Sequence, residues 1–193
     1  PGLSIKEIAD TIVHNSKKVM DAILKLLDFA SIQTAAEKIF NSDRIDIYGV
    51  GASGIVALDL YQKLLRIGVK CMYSPDSHLQ LTSACGLRKG DCAVAVSYSG
   101  ETPIVLKSVE EAKKSGAFLI GITRFGKNPL SSAVDVNLPV PFTEPLLREG
   151  AMASRLSQLI IVDILFSVIA SRNSKTILKH LKRTSEAVKQ KRR

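Results

Sequence analysis

Ile45-Asp46-Ile47-Tyr48-Gly49-Val50-Gly51-Ala52-Ser53-Gly54, the stretch IDIYGVGASG, is where the chain changes period. A short run with isoleucines at alternate positions reads as a strand, and the glycine-rich turn that follows opens a helical pattern. The same unit recurs downstream as VKCMY, CAVAVS, FLIGIT and VDVNLPV, most of them followed by Gly, Ser or Pro and then by helical spacing. Strands apolar on both faces and alternating with helices imply a parallel sheet covered on both sides, an α/β three-layer αβα sandwich of about five strands.

Outward from this core the period is helical. Ile5, Ile8, Ala9, Ile12, Val13, Val19, Met20, Ile23, Leu24 and Leu27 recur at three- and four-residue spacing, which predicts one long helix with a single buried stripe. Ser31 is expected to cap a shorter second helix through Phe40. Beyond the proline-rich loop LPVPFTEPLLREG an apolar helix is expected over 151–170, with a break at Arg172-Asn173-Ser174. A last helix then starts at Lys175, with Ile177, Leu178, Leu181 and Val188 on one face. The division expected is 1–42 for linker and packing helices, 43–170 for the sandwich and 171–193 for a basic terminal helix.

The 193 residues are 46% hydrophobic and 23% charged, ample for one globular core, which excludes a disordered chain. The net charge of +9 first suggests a nucleic-acid binder. Its distribution argues otherwise: residues 171–193 hold 9 of the 27 Lys and Arg and 1 of the 18 acids, leaving 18 bases against 17 acids in the rest. A run of charge at one terminus reads first as the solvated face of a helix. The longest oily stretch, Leu159 to Ala170, is broken by Asp163 and falls short of the roughly 18–20 residues a bilayer span needs, so no membrane partner is expected. Cys71, Cys85 and Cys92 are odd in number and lack a C-x-x-C pair, which predicts buried reduced thiols, no metal and a cytoplasmic setting. The chain opens Pro1-Gly2 without Met or a signal-peptide pattern, and a piece of a longer protein is expected.

Two turns carry candidate chemistry. GVGASG, Gly49 to Gly54, fits the dinucleotide fingerprint letter for letter, but that reading also wants an acid ending the second strand, and VKCMYSPD reaches Asp76 only in the loop. No cofactor is expected. The third strand runs into SYSGET, placing Ser97, Ser99 and Thr102 around Gly100 at a strand-to-helix turn. Hydroxyls and free N–H groups at a helix N-terminus favour an anion, and Gly100 allows close approach or positive φ. With Gly51 and Ser53 at the first turn, the two loops can converge on one phosphate at the carboxyl ends of the first and third strands. The plainer alternative is that the hydroxyls are ordinary N-caps.

GVGASG followed by SYSGET resembles the SIS (sugar isomerase) domain over residues 45–170. The stretches SPDSHLQLTSACGLRKGDCAVAVSYSGET, ITRFGKNPLSSAVDVNLPV and ASRLSQLIIVDILF resemble the effector-sensing half of bacterial RpiR-type transcription regulators. Those regulators join an N-terminal helix-turn-helix domain to a SIS domain that binds a phosphosugar. The resemblance implies the SIS fold, Ser53, Ser97, Ser99 and Thr102 as phosphate ligands, and DNA as a partner through a helix-turn-helix domain absent from this chain. The roughly 43 residues before the first strand do not read as a trihelical unit with a recognition helix.

The resemblance also raises an enzymatic alternative. A sugar-phosphate isomerase needs a positioned base, and in the stand-alone SIS isomerases this chain resembles, an acid near the start of the helix after the fifth strand serves. Here the first acid in that helix is Asp163, about three turns in. Glu149, Glu101 and His78 remain weaker candidates to reach a sugar. Glu101 reads equally as a first-turn carboxylate matched to the helix dipole, and His78 as a polar first-turn residue behind an Asp or Ser cap. Arg155 fits either a ligand carboxylate or Glu149. The reading reached is a sensing domain with no catalytic residue, forming a homodimer or homotetramer through the long first helix. The sugar is open: amino-sugar 6-phosphates such as N-acetylmuramic acid 6-phosphate, pentose phosphates and hexose phosphates all fit.

Overall fold

The computed structural model describes residues 2–142 and 152–190. Helix α1 runs Ile5–Leu26 and α2 Phe29–Asn41, followed by β1 Ile45–Tyr48, α3 Gly51–Arg66, β2 Cys71–Met72, α4 Ser77–Ala84, β3 Cys92–Val96 and α5 Pro103–Lys114. Then come β4 Phe118–Arg124, α6 Pro129–Ala133, β5 Val136–Val140, α7 Met152–Arg172 and α8 Ser174–Gln190. The five strands are all parallel in the order β2-β1-β3-β4-β5. The expected three-layer α/β sandwich is therefore the observed one.

Side-chain alternation sorts the core into two layers. Ile45, Ile47, Cys92, Val94, Val96, Ile120 and Ile122 point to one face, beneath α1, α2, α3 and α7. Tyr48, Ala93, Ala95 and Leu119 point to the other, where the small alanines let α4 and α5 lie close. Pro139 lacks an N–H and sits in β5, an edge strand, where that donor is dispensable.

Three local expectations are corrected. The cap of α2 is Asp28, whose carboxylate accepts from Ala30 and Ser31 N–H, while the Ser31 hydroxyl donates back to Asp28 at 2.6 Å. The stripe of α1 is buried only at Val19 and Ile23; Ile5, Ile8, Ile12, Val13, Met20 and Leu24 are exposed, because only the second half of the helix reaches α7 and β5. Of the thiols, Cys92 is buried and Cys71 half-buried, whereas Cys85 at the C-cap of α4 is exposed. Burial pushes Cys71 up to about 11 and Cys92 to about 12.

Helix α7, at 21 residues, is longer than the oily run suggested and is the one helix among the described residues long and apolar enough to cross a bilayer. Here it is a core helix, with Ile161, Val162, Leu165 and Ile169 packed under α2 and α3. In α8, Ile177 is buried and Leu181 partly so, Leu178 is 55% exposed, and the His180 ring packs against Gly68.

Candidate anion site at the strand ends

The strand order reverses direction between β1 and β3, which opens a crevice at their carboxyl ends. Tyr48 pairs with Ala95 in register, so the turns that follow both strands start side by side. Each turn feeds a helix whose N-terminal N–H groups and dipole face the crevice side.

The β1 turn is tight by composition. A Cβ on Gly49 would lie 2.9 Å from the Ser53 carbonyl oxygen, so only glycine fits. Gly51 begins α3 at φ +57, with open space where a side chain would be. The N-cap, Val50, has no side chain able to cap, leaving the first turn of α3 without side-chain acceptors. Ser53 Oγ donates to Gln158 Oε1 at 3.3 Å across to α7. Beneath the turn the buried Gln80 amide accepts from Gly49 N–H at 3.1 Å and donates to the Gly49 and Ser74 carbonyls at 3.0 and 2.6 Å, tying the ends of β1 and β2 together.

The β3 turn gathers the hydroxyls. Ser97 is buried, and its Oγ lies 2.9 Å from Thr102 Oγ1 and accepts from Gly100 N–H at 3.2 Å. Thr102 is the N-cap of α5, yet its side chain makes no capping bond, because it is turned to Ser97. Ser99 Oγ accepts from Glu101 N–H at 3.2 Å. The alternative that these hydroxyls are ordinary caps therefore fails for Thr102. Gly100 has φ +70, and a Cβ there would come within 1.9 Å of Asn128 Oδ1. Asn128 in turn caps α6 by accepting from Ser131 N–H and donates to Thr123 Oγ1 and the Gly126 carbonyl, so it braces the loop from behind.

The weaker candidates scatter. Glu101 precedes the N-cap of α5 and does not lie in its first turn, as the dipole reading required; it is 3.4 Å from the Arg124 guanidinium, which also stands 5.4 Å over the Phe142 ring. His78 is exposed in the first turn of α4 with its N–H bonded to the Asp76 cap, as the plainer alternative held. Arg155 lies half-buried in the first turn of α7, and Glu149 falls outside the described residues. Asp163 is 63% exposed and bonded to Lys63 at 2.6 Å on the outer face of α3, remote from the strand ends. Reading the sequence missed Gln80, Asn128 and Gln158. Asn128-Pro129 with Ser131 carries a helix-start signal, and Gln158 is marked only as a lone amide in an apolar stretch.

A SIS domain family model matches residues 38–168. The chain belongs to the SIS domain family. It is 40% identical over 184 residues to a protein of Caldanaerobacter subterraneus named as an uncharacterized HTH-type transcriptional regulator, covering 95% of this chain and 65% of that protein. A second HTH-type regulator, from Providencia stuartii, is 32% identical over 165 residues, covering 86% and 58%. This SIS chain thus spans less than two thirds of the length of these curated relatives. Among solved structures, the Vibrio vulnificus NanR protein complexed with ManNAc-6P superimposes with a TM-score of 0.88 at 31% identity, over 94% of this chain and 68% of that one. The sugar isomerase domain of an RpiR transcription factor from Sphaerobacter thermophilus gives 0.85 at 19% identity, over 93% and 99%, which is a likeness of fold.

Proposed function

We propose that this SIS chain is the effector-sensing part of an RpiR-type transcription regulator. It binds a sugar phosphate at the β1/β3 crevice and so modulates DNA binding by a helix-turn-helix domain carried elsewhere in the longer protein. The observation that carries the reading is the pair of helix N-termini at that crevice, α3 and α5, neither capped by a side chain, with the Ser97 and Thr102 hydroxyls turned to each other beside them. A phosphate oxygen set there accepts from hydroxyls and backbone N–H groups together. Gly51, Ser53, Ser97, Ser99, Gly100 and Thr102 form the phosphate cradle, and Arg155 and His78 are the weaker candidates toward the sugar end. Residues 43–170 form the binding unit, 1–42 carry the connection toward the DNA-reading part, and 171–193 add a packing helix with a solvated basic face. The whole acts in the reducing cytoplasm as a homo-oligomer.

Binding without chemistry is favoured because isomerisation needs a base within reach of the sugar carbons. Asp163 is held by Lys63 on the far side of α3, and Glu101 is engaged by Arg124. Relatives named as regulators point the same way, and the NanR complex makes amino-sugar 6-phosphates the first ligands to try. Incubating the chain with a panel of aldose and ketose phosphates is expected to return every substrate unchanged. Catalysed interconversion of any one of them sinks the pure-sensor reading.

A further inference from the structure

Gln158 is 1% exposed, on α7 behind the first turn of α3. Its Oε1 accepts the Ser53 hydroxyl at 3.3 Å, and its Nε2 is the one buried side-chain polar atom without a hydrogen-bond partner among the described residues. The contrast with Gln80 is direct, since both amide atoms of that equally buried side chain are paired. A buried donor left unpaired forfeits its hydration for nothing. A hydroxyl has a single proton, so Ser53, by giving it to Gln158, turns lone pairs toward an anion.

The other orientation of the amide corrects both defects. Rotating the amide about its last torsion exchanges nitrogen and oxygen, which are nearly isosteric. Nε2 then donates to Ser53 Oγ and the serine proton is released toward the crevice. The atom left unpaired is now a carbonyl oxygen, which interiors tolerate better than an orphan N–H. Resting on the reading that this crevice holds a phosphate, we propose that Gln158 is a positioning residue for the anion. With phosphate bound, its amide nitrogen donates to Ser53 Oγ and Ser53 donates to the phosphate. A chain of donors running one way toward a negative charge polarises each link, and the anion selects the arrangement it binds better. Because α7 also packs on α1 and α2, the Gln158–Ser53 bond links the crevice to the helices on that face.

The test uses the 193-residue chain and inorganic phosphate, reading the thermal midpoint as a function of phosphate concentration at constant ionic strength. Gln158→Leu is expected to leave the phosphate-free midpoint no lower than that of the parent chain, since an apolar side chain removes the orphan donor. The same variant raises the half-saturating phosphate concentration several-fold to roughly tenfold, the order expected for loss of one hydrogen bond between neutral groups. Gln158→Met, unbranched and closer in shape, behaves alike and serves if the leucine does not fold. In a Ser53→Ala background the Gln158 substitutions add nothing, because the residue through which they act is gone. Unchanged half-saturation in the Leu and Met variants, or losses that add to that of Ser53→Ala, overturns the proposal. A purely structural glutamine would instead lower the midpoint and leave half-saturation where it was. If the parent chain shows no phosphate response at all, the anion site itself is wrong and the inference falls with it.

Discussion

Gly100 is the residue on which the β3 turn depends most sharply. Its φ of +70 penalises any L side chain, and a Cβ would enter the space of Asn128 Oδ1, an atom held in place by the cap of α6. Gly100→Ala is expected to cost at least about 1–2 kcal/mol from the left-handed conformation alone. The clash adds to this and pulls Ser97 and Thr102 apart. A urea midpoint that drops together with phosphosugar affinity checks it, whereas unchanged affinity would mean that the turn is not the cradle. The hydroxyls and this glycine were legible in the sequence because their meaning is local: S-x-S-G-x-T at a strand end offers donors whatever lies across from it. The amides were not. Gln80 and Gln158 act on partners 31 and 105 residues away, so no window of sequence around them carries the signal. Glu101 misled for a related reason, since whether it sits inside α5 or before it depends on where Thr102 turns.

At the scale of elements, alternation was a sufficient guide wherever a strand is central. β1 and β3 lie within the runs from which they were read and β4 extends its run by one residue to Arg124, while edge strand β2 pairs over only two residues and β5 starts at Val136. The start of the latter is set by Asp135, whose carboxylate accepts from Leu119 N–H, a long-range bond with no local signature. Helix starts were less legible. Asp28 and Ser31 are both good caps by type, and the choice falls to Asp28 because Ser31 then becomes the third helical residue and bonds back to it. Asp28→Ala is therefore expected to lower stability by about 0.5–2 kcal/mol, and Ser31→Ala by less, in urea unfolding followed by circular dichroism. The reverse order would restore Ser31 as the cap. Thr102 completes the contrast: a residue of capping type whose side chain does not cap is one reserved for something else, here the hydroxyl pair with Ser97.

For the whole molecule, the charge and the first helix matter most. The surplus of positive charge lies in residues 171–193, 9 Lys and Arg against 1 acid, and Ile177 within that stretch is buried in the core, so a globally basic chain is compatible with a nearly neutral remainder. α1 presents Ile5, Ile8, Ile12, Val13, Met20 and Leu24 to solvent at helical spacing, more apolar surface than an isolated helix sustains. Sedimentation velocity at micromolar concentration is expected to show a dimer or larger species, and a monomer with and without ligand would remove the subunit interface from the account. The proposed function stands on a phosphate held between the first turns of α3 and α5. A thermal-shift comparison of phosphosugars with their unphosphorylated counterparts tests it most directly. A ligand at 100 times its dissociation constant stabilises the fold by about 2.7 kcal/mol. At least one sugar phosphate, with ManNAc-6P tried first, is expected to raise the midpoint, its dephosphorylated form is expected not to, and the shift is expected to vanish in Ser97→Ala/Thr102→Ala. A shift that survives the double substitution, or none across the phosphosugars, contradicts it.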